Sequence, residues 1–156
     1  MKGNEKIIAL LNDFLADELT AISQYMVHSE MCADWGYDKL HEAIEKRAIG
    51  EMKHAEKLIG RILFLEGQPV VSNLNKISIG ATVESQLQHD LDAETGAIKA
   101  YNEGIRLCLE VGDNGSRELI EDNLEDEEDH LDWLEAQLDQ VNQMGLQNYL
   151  LAQVKE

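Results

Sequence analysis

Apolar residues recur at helical spacing along four long stretches of the chain. The stretches cover residues 5–34, 38–65, 83–111 and 116–144, and almost no strand-like alternation of apolar and polar residues accompanies them. A recurrence every three or four residues places apolar side chains on one face of a helix. The pattern therefore predicts four long amphipathic helices that pack through their apolar faces.

Short turn sequences divide these helices into two pairs. The turns are DWGYD and VGDNGS, and their glycine, aspartate and asparagine residues favour a reversal that folds each pair into a hairpin. The segment between the hairpins, residues 66–82, contains the only proline. Its roughly 17 residues reach about 55 Å when extended, whereas helices of about 30 residues are about 45 Å long. The segment can therefore run from one end of the helices to the other.

These elements together predict an all-α fold. Two hairpins joined by one long crossover form a four-helix bundle, and Gly145 is placed to end the fourth helix. Residues 146–154, with the sequence LQNYLLAQV, are typical of a short fifth helix. A chain of 156 residues with 44% hydrophobic residues has the usual size of one domain. We therefore expect a single domain spanning residues 1–156.

The two hairpins are similar in sequence. Adding 76 to a residue number takes six residues of the first hairpin to identical residues of the second. The pairs are Glu18 and Glu94, Tyr25 and Tyr101, Cys32 and Cys108, Gly36 and Gly112, Glu51 and Glu127, and His54 and His130. Six matches at one offset, on uncommon residue types, indicate a pseudo-twofold repeat of the helical hairpin.

Acidic residues dominate the charged positions. With 31 aspartates and glutamates against 13 lysines and arginines, the formal net charge is -18. Such a charge repels nucleic-acid phosphates and anionic membranes and attracts cations, so we expect neither nucleic acid nor membrane as a partner. The N-terminal sequence lacks the layout of a secretory signal, and no long apolar run is present. These features predict a cytoplasmic protein, in which Cys32 and Cys108 are free thiols.

Four glutamates interrupt the apolar stripes of the helices. Residues four, seven or eleven positions apart lie on one helical face, and by this rule each of the four shares a face with aliphatic residues. They are Glu18, Glu51, Glu94 and Glu127. Buried without a partner, each carboxylate would cost several kcal/mol. Lysine or arginine from a neighbouring helix could pair with one or two of them, but the inward faces are mostly aliphatic.

A histidine follows two of these glutamates at a spacing of three residues. The motifs are Glu51-x-x-His54 and Glu127-x-x-His130, and each begins 33 residues after another core-facing glutamate. Carboxylate and imidazole together suit iron, manganese or zinc better than calcium or magnesium. One glutamate from each of two helices, with Glu-x-x-His from the other two, is a ligand set of di-iron and di-manganese bundles. We therefore predict a di-metal site.

Symmetry suggests how the ligands divide between the two ions. Glu18 and Glu94 are expected to be terminal ligands, whereas Glu51 and Glu127, each one turn from a histidine, are expected to bridge. Each ion would then also bind one histidine.

The chain resembles the bacterioferritins over essentially its whole length. Beyond the six predicted ligands, the similarity rests on NDFLADELTAISQY, GEMKHAE, RILFLEG, EDHLDWLE and MGLQNYLLAQ. The resemblance implies a ferritin-like fold and a hollow shell of 24 subunits built from twofold dimers. It also implies a di-iron ferroxidase that oxidises ferrous iron with dioxygen or peroxide, four ferrous ions per dioxygen, and stores ferric mineral.

Met52 acquires a role from this resemblance. In the family, a methionine at this place and its copy in a twofold-related subunit bind haem b. Met52 follows Glu51 by about 100° and so points away from the metal-binding face. The resemblance implies that the haem conducts electrons that reduce and release stored iron, and that a small [2Fe-2S] ferredoxin supplies them.

Two aromatic residues near the predicted ligands are candidate electron donors. Tyr25 lies on the same face as Glu18, and Trp133 is about one turn beyond His130. Ordinary aromatic packing explains either residue equally well. The three histidines outside the motifs are expected at the surface or in hydrogen bonds; they are His28, His41 and His89.

One segment departs from the family pattern. Some bacterioferritins carry acidic residues or histidine at an inner-surface iron site before Glu51, whereas this chain has Lys46, Arg47 and Gly50 there. The sequence therefore argues against an auxiliary iron site. Arg47 stands four residues before Glu51, a spacing that allows an ion pair.

Two other functions fit part of the sequence. A di-iron oxidase or peroxidase of the rubrerythrin type needs no storage shell, although such proteins usually carry a Cys-x-x-Cys iron module and the two cysteines here stand alone. A structural bundle or a zinc-binding module is the third possibility.

Overall fold

The computed structural model describes residues 1–155, which form five α-helices. The helices are α1 (Glu5–Asp34), α2 (Asp38–Phe64), α3 (Val83–Val111), α4 (Asn114–Met144) and α5 (Leu146–Gln153). α1 packs mainly against α2, and α3 mainly against α4, so the bundle consists of two hairpins. The predicted all-α four-helix bundle with a short fifth helix is confirmed. In the described residues, no helix is long and apolar enough to cross a membrane.

The fourth helix begins earlier than the sequence predicts. It starts at Asn114 rather than at residue 116, because the side chain of Asp113 accepts a hydrogen bond from the backbone N–H of Ser116 at 3.0 Å. Such a cap satisfies an N–H group that has no partner within the helix. The polar residues after Gly112, which resemble a turn in sequence, therefore form the first turn of α4. Gly112 itself makes the reversal, with a φ of 75° that residues with a Cβ atom rarely adopt.

Side chains of α1 hold the crossover along the bundle. Asn12, Thr20, Gln24 and His28 lie on one face of α1 and accept hydrogen bonds from backbone N–H groups of the crossover. The donors are Val70, Asn75, Ser78 and Gly80, at distances of 2.8, 2.8, 3.0 and 3.0 Å respectively. These bonds satisfy backbone groups that an irregular segment cannot pair within itself.

The core contains two apolar clusters with a polar layer between them. Phe14, Leu58 and Tyr101 belong to one cluster, and Leu40 and Leu134 belong to the other. On each of the four long helices, the predicted metal ligands lie between the residues of the two clusters. The layout therefore places the six polar side chains at mid-length in the bundle, far from either end.

Candidate metal centre

All six predicted ligands are buried and face one another. Their exposed fractions range from 1% to 8% of the residue surface, and each long helix contributes at least one of them. They are Glu18 on α1, Glu51 and His54 on α2, Glu94 on α3, and Glu127 and His130 on α4. Helical periodicity therefore placed all six side chains correctly in the interior.

Four of these residues converge on one point, which we call the His54 position. Nδ1 of His54 lies 3.3 Å from Oε1 of Glu127, 3.5 Å from Oε2 of Glu51 and 3.6 Å from Oε2 of Glu18. The four residues offer ligand atoms that all lie within 4.8 Å of one another. This group could hold one metal ion.

A second group, which we call the His130 position, consists of Glu51, Glu94 and His130. Their ligand atoms also lie within 4.8 Å of one another, and Nδ1 of His130 is 2.9 Å from Oε1 of Glu94. Glu51 belongs to both groups, which suits the bridging role expected of it. The structure thus contains two adjacent groups of candidate ligands, and the two groups share the carboxylate of Glu51.

Arg47 also reaches into this layer. Its Nη2 lies 2.7 Å from Oε1 of Glu51 and 3.1 Å from Oε2 of Glu127. The spacing in sequence predicts the pair with Glu51 but not the contact with α4. Arg47 therefore supplies two of the buried carboxylates with positive charge, as was considered above for a lysine or an arginine.

Three polar residues that are not predicted ligands make hydrogen-bond contacts with the ligands, and only Tyr25 among them has a role predicted from the sequence. The hydroxyl of Tyr25 donates a hydrogen bond to Glu94, and that of Tyr101 donates to Oε1 of Glu18 at 2.6 Å. Oδ2 of Asp126 is 2.7 Å from Nε2 of His54, an arrangement that typically orients a metal-binding histidine. The offset of 76 residues, which pairs Tyr101 with Tyr25, was the signal that could have identified Tyr101.

Burial opposes negative charge on the carboxylates. It raises the pKa of Glu18 well above its usual value, and the nearby charge of Glu51 adds to the increase. Burial also raises the pKa of Glu94 to about 7. A cation at the centre would reverse this effect because it stabilises the ionised form.

The two histidines have opposite electrostatic surroundings. Burial favours the neutral form of His54, but the carboxylates around it, beginning with Glu127, outweigh burial and raise its pKa to about 12. Burial lowers the pKa of His130 to about 4, and the positive charge of Arg47 acts in the same direction. The two metal positions therefore differ in the electrostatic surroundings of their histidines.

Several buried polar atoms of the centre have no hydrogen-bond partner within residues 1–155. They are Oε2 of Glu18, Nδ1 of His54, Oε2 of Glu94 and Oε1 of Glu127, while Oε1 of Glu51 has only its ion pair with Arg47. Such atoms are rare in folded proteins because they forfeit hydrogen bonds to water. These atoms belong to carboxylates and an imidazole and face two adjacent points, so they fit a pair of transition-metal ions.

A cleft of about 310 Å³ leads from the surface to the centre. Glu18, Glu51 and Glu94 line its inner part, while the partly or fully exposed residues Asp17 and Asn75 line its outer part. The cleft lies between α1, α3 and the crossover. Because these three carboxylates form part of its inner wall, the cleft favours the entry of cations.

Met52 is separate from this centre. It is 46% exposed and lines an apolar groove of about 310 Å³ between α1 and α2, together with Ile22, Met26, Ala48 and Ile49. Helical spacing predicts that Met52 points away from the metal-binding face, and this orientation is confirmed.

The remaining aromatic and histidine residues mostly have structural partners. Trp133 stacks on the ring of His130, with ring centres 6.0 Å apart. His28 is fully buried, with Nδ1 2.9 Å from Oδ1 of Asp90. The other two histidines contact backbone carbonyl oxygens through Nδ1, His41 at Ser29 and His89 at Ser78; these contacts are 2.9 and 3.2 Å long.

Known proteins are similar in sequence to this chain over most of its length. The sequence profile of the ferritin-like domain matches residues 8–144. A bacterioferritin of Rhodobacter capsulatus is 44% identical over 97% of this chain and 94% of its own length, and one of Brucella melitensis is 42% identical over 96% and 92%. A bacterial ferritin of Synechocystis is 44% identical over 99% of both chains. With its bundle, its crossover and its buried glutamates and histidines, the chain belongs to the bacterioferritins of the ferritin-like family.

Proposed function

We propose that this protein stores iron and oxidises it on entry, as a ferroxidase. The observation that carries the proposal is the pair of buried carboxylate and histidine groups that share Glu51. Two ferrous ions are the substrates, and the six ligands hold them side by side. Oxidation by dioxygen consumes four ferrous ions and four protons and yields four ferric ions and two waters; peroxide is the alternative oxidant.

The chain's own residues bind and position these ions. Glu18 and Glu94 serve as terminal ligands, and hydrogen bonds from Tyr101 and Tyr25 fix the direction of their carboxylates. Asp126 holds the ring of His54 so that Nδ1 faces the centre. Burial excludes water, which strengthens each carboxylate's attraction for a cation.

Tyr25 is proposed to supply an electron when the bound iron cannot fully reduce the oxidant. Its hydroxyl contacts Glu94, and its ring lies edge-on to His130 with centres 5.4 Å apart. Both neighbours are proposed iron ligands, so only one side chain would separate the phenol from the bound iron.

Storage requires an assembly, and we propose a shell of 24 subunits built from twofold dimers and located in the cytoplasm. The relatives named bacterioferritin support this proposal. Exposed apolar residues on α1 and α2, which include Met26, Val27 and Ile49, provide a surface for the twofold contact.

Addition of ferrous iron to the metal-free protein in air tests the function. The ferric absorbance should rise much faster than in buffer alone. The protein should then elute as a particle of several hundred kilodaltons that retains far more iron than its binding sites can hold. A small oligomer that oxidises iron without retaining it would indicate the non-storage oxidase or peroxidase instead. Oxidation no faster than in buffer would favour a structural or zinc-binding bundle.

Haem b is proposed to bind between two subunits at Met52. The apolar groove beside this methionine offers one wall of such a site, and the symmetric copy in a second subunit would supply the other. Bound haem would pass electrons to the stored ferric iron, and a small [2Fe-2S] ferredoxin is the proposed donor.

Replacement of Met52 by leucine should abolish haem binding, because leucine keeps the apolar volume but lacks the thioether sulfur. The haem absorbance of the protein reconstituted with haem b would measure this loss. Met26→Leu is the matched control, since Met26 lines the same groove and should not be a ligand. Equal haem absorbance in both variants would contradict the assignment of Met52.

A further inference from the structure

The pseudo-twofold repeat breaks at two positions beside the metal centre. The offset of 76 residues pairs Arg47 with Asn123, and Gly50 with Asp126. In each pair one hairpin carries a charged residue and the other carries a neutral one. Both differences lie within four residues of a proposed bridging glutamate.

The first consequence concerns the histidines. Asp126 contacts Nε2 of His54 at 2.7 Å, whereas the equivalent position for His130 holds Gly50. A carboxylate behind a ligating imidazole orients the ring and increases its basicity. His54 therefore has a support that the repeat does not provide for His130.

The second consequence concerns the shared glutamates. Nη2 of Arg47 lies 2.7 Å from Oε1 of Glu51 and 3.1 Å from Oε2 of Glu127. The other oxygen of each glutamate faces His54. Arg47 thus holds the two oxygens that would bridge toward a metal ion at the His130 position.

The charge of Arg47 also acts on the other residues of the His130 position. Arg47 and His130 line the same cleft, so the guanidinium lies on the His130 side of the shared glutamate. A guanidinium at this point carries the same sign of charge as a metal ion and attracts the same carboxylates. Both cannot occupy the point at once.

We propose that Arg47 is a built-in competitor for the metal ion at the His130 position, so that the two positions fill in a fixed order. The His54 position binds the first ion, and the second ion must displace the guanidinium. This inference rests on the proposed two-metal site and adds a residue that determines the order in which its two positions bind metal ions.

The structure offers a place for the displaced side chain. A cleft of about 510 Å³ borders Arg47, and Gly50, Asp129 and His130 line it. A Cβ atom at position 50 would lie 3.9 Å from Nη1 of Arg47, which is ordinary contact, so the backbone of α2 at this point leaves room for the guanidinium. Rotation about the side-chain bonds of Arg47 would carry its charge toward the exposed carboxylate of Asp129.

Anaerobic calorimetric titration of the metal-free protein with Co²⁺ tests this order of binding. We expect the first ion of each subunit to bind at least about tenfold more tightly than the second. Competition with Arg47 lowers the fraction of protein in which the His130 position is free to accept the second ion. Arg47→Gln should tighten binding of the second ion by about tenfold and change that of the first by less than about threefold. Lys57→Gln is the matched control: it removes the same charge from an exposed residue of α2 that lines neither cleft at the centre and should leave the two affinities as they are.

A crystal structure of the cobalt-loaded wild-type protein provides a measurement that needs no variant. It should show Arg47 withdrawn from Glu51 and Glu127, with an ion beside His130. Two equal affinities in both wild type and Arg47→Gln, or a guanidinium that stays on the glutamates with two ions bound, would overturn the inference but leave the two-metal site intact. Failure of Arg47→Gln to bind a second ion at all would overturn the two-metal site and the proposed function with it.

Discussion

Replacing Glu127 with glutamine should lower the initial rate of ferrous iron oxidation by more than about 100-fold. One oxygen of Glu127 faces His54 and the other faces Arg47, so the substitution removes negative charge from the His54 position and from beside the guanidinium. Loss of a residue that merely supports a ligand already costs roughly 10–100-fold in metal affinity or activity, and loss of a ligand itself should exceed that. Stopped-flow absorbance after mixing with Fe²⁺ measures the rate.

Glu128→Gln is the control for this substitution. Glu128 is the next residue of α4 and is exposed, so its replacement removes the same charge without touching the centre and should change the rate less than about twofold. Glu127→Gln should remain folded, because burial raises the pKa of Glu127 and a neutral amide of the same size avoids the cost of burying that charge. A melting temperature within about 4 °C of wild type, together with a rate above one tenth of wild type, would contradict the assigned role.

Replacing Phe14 with alanine should cost about 3–5 kcal/mol of unfolding free energy and lower the melting temperature by roughly 10 °C. Phe14 is 2% exposed, and its ring stacks on Tyr101 with ring centres 4.4 Å apart. A Cβ atom added at Gly104 would lie 2.6 Å from the ring of Phe14, so the phenyl group fills its space tightly. Its removal leaves a cavity directly beneath the tyrosine that holds Glu18.

The second phenylalanine of the chain provides the comparison. Phe64 is 50% exposed at the end of α2, so Phe64→Ala should cost less than about 1 kcal/mol. Calorimetry of both variants in the metal-free state would measure the difference. Melting temperatures that fall equally in the two variants would show that the stack on Tyr101 contributes little.

Much of the centre was predictable because a helix fixes the direction of each side chain. Once the apolar faces of the four helices were known, the positions of Glu18, Glu51, Glu94 and Glu127 in the interior followed from their spacing alone. The Glu-x-x-His spacing then placed both histidines about one turn from Glu51 and Glu127, and so in the same layer of the bundle. The burial of all six predicted ligands therefore followed from backbone periodicity, whereas the contact of Tyr101 with Glu18 did not.

Contacts that depend on side-chain reach were not predictable. Arg47 and Glu127 are 80 residues apart, and a long flexible side chain can turn toward solvent or toward a neighbouring helix with little change in its own backbone. The same limit applies to the crossover, whose length was clear but whose attachment to Asn12, Thr20 and Gln24 required the packed arrangement of α1. The start of α4 depended on a single side-chain cap at Asp113, which the polar composition of the turn concealed.

The pairing of Arg47 with Asn123, and of Gly50 with Asp126, has a consequence for how such a site diversifies. Two identical hairpins that met as separate polypeptides would carry the same residue at both equivalent places, so any substitution would alter both halves together. Covalent linkage through the crossover removes that constraint, and each half can mutate independently. The asymmetry of this chain is therefore closed to a dimer of identical hairpins, whereas here one half can carry Arg47 while the other carries Asp126.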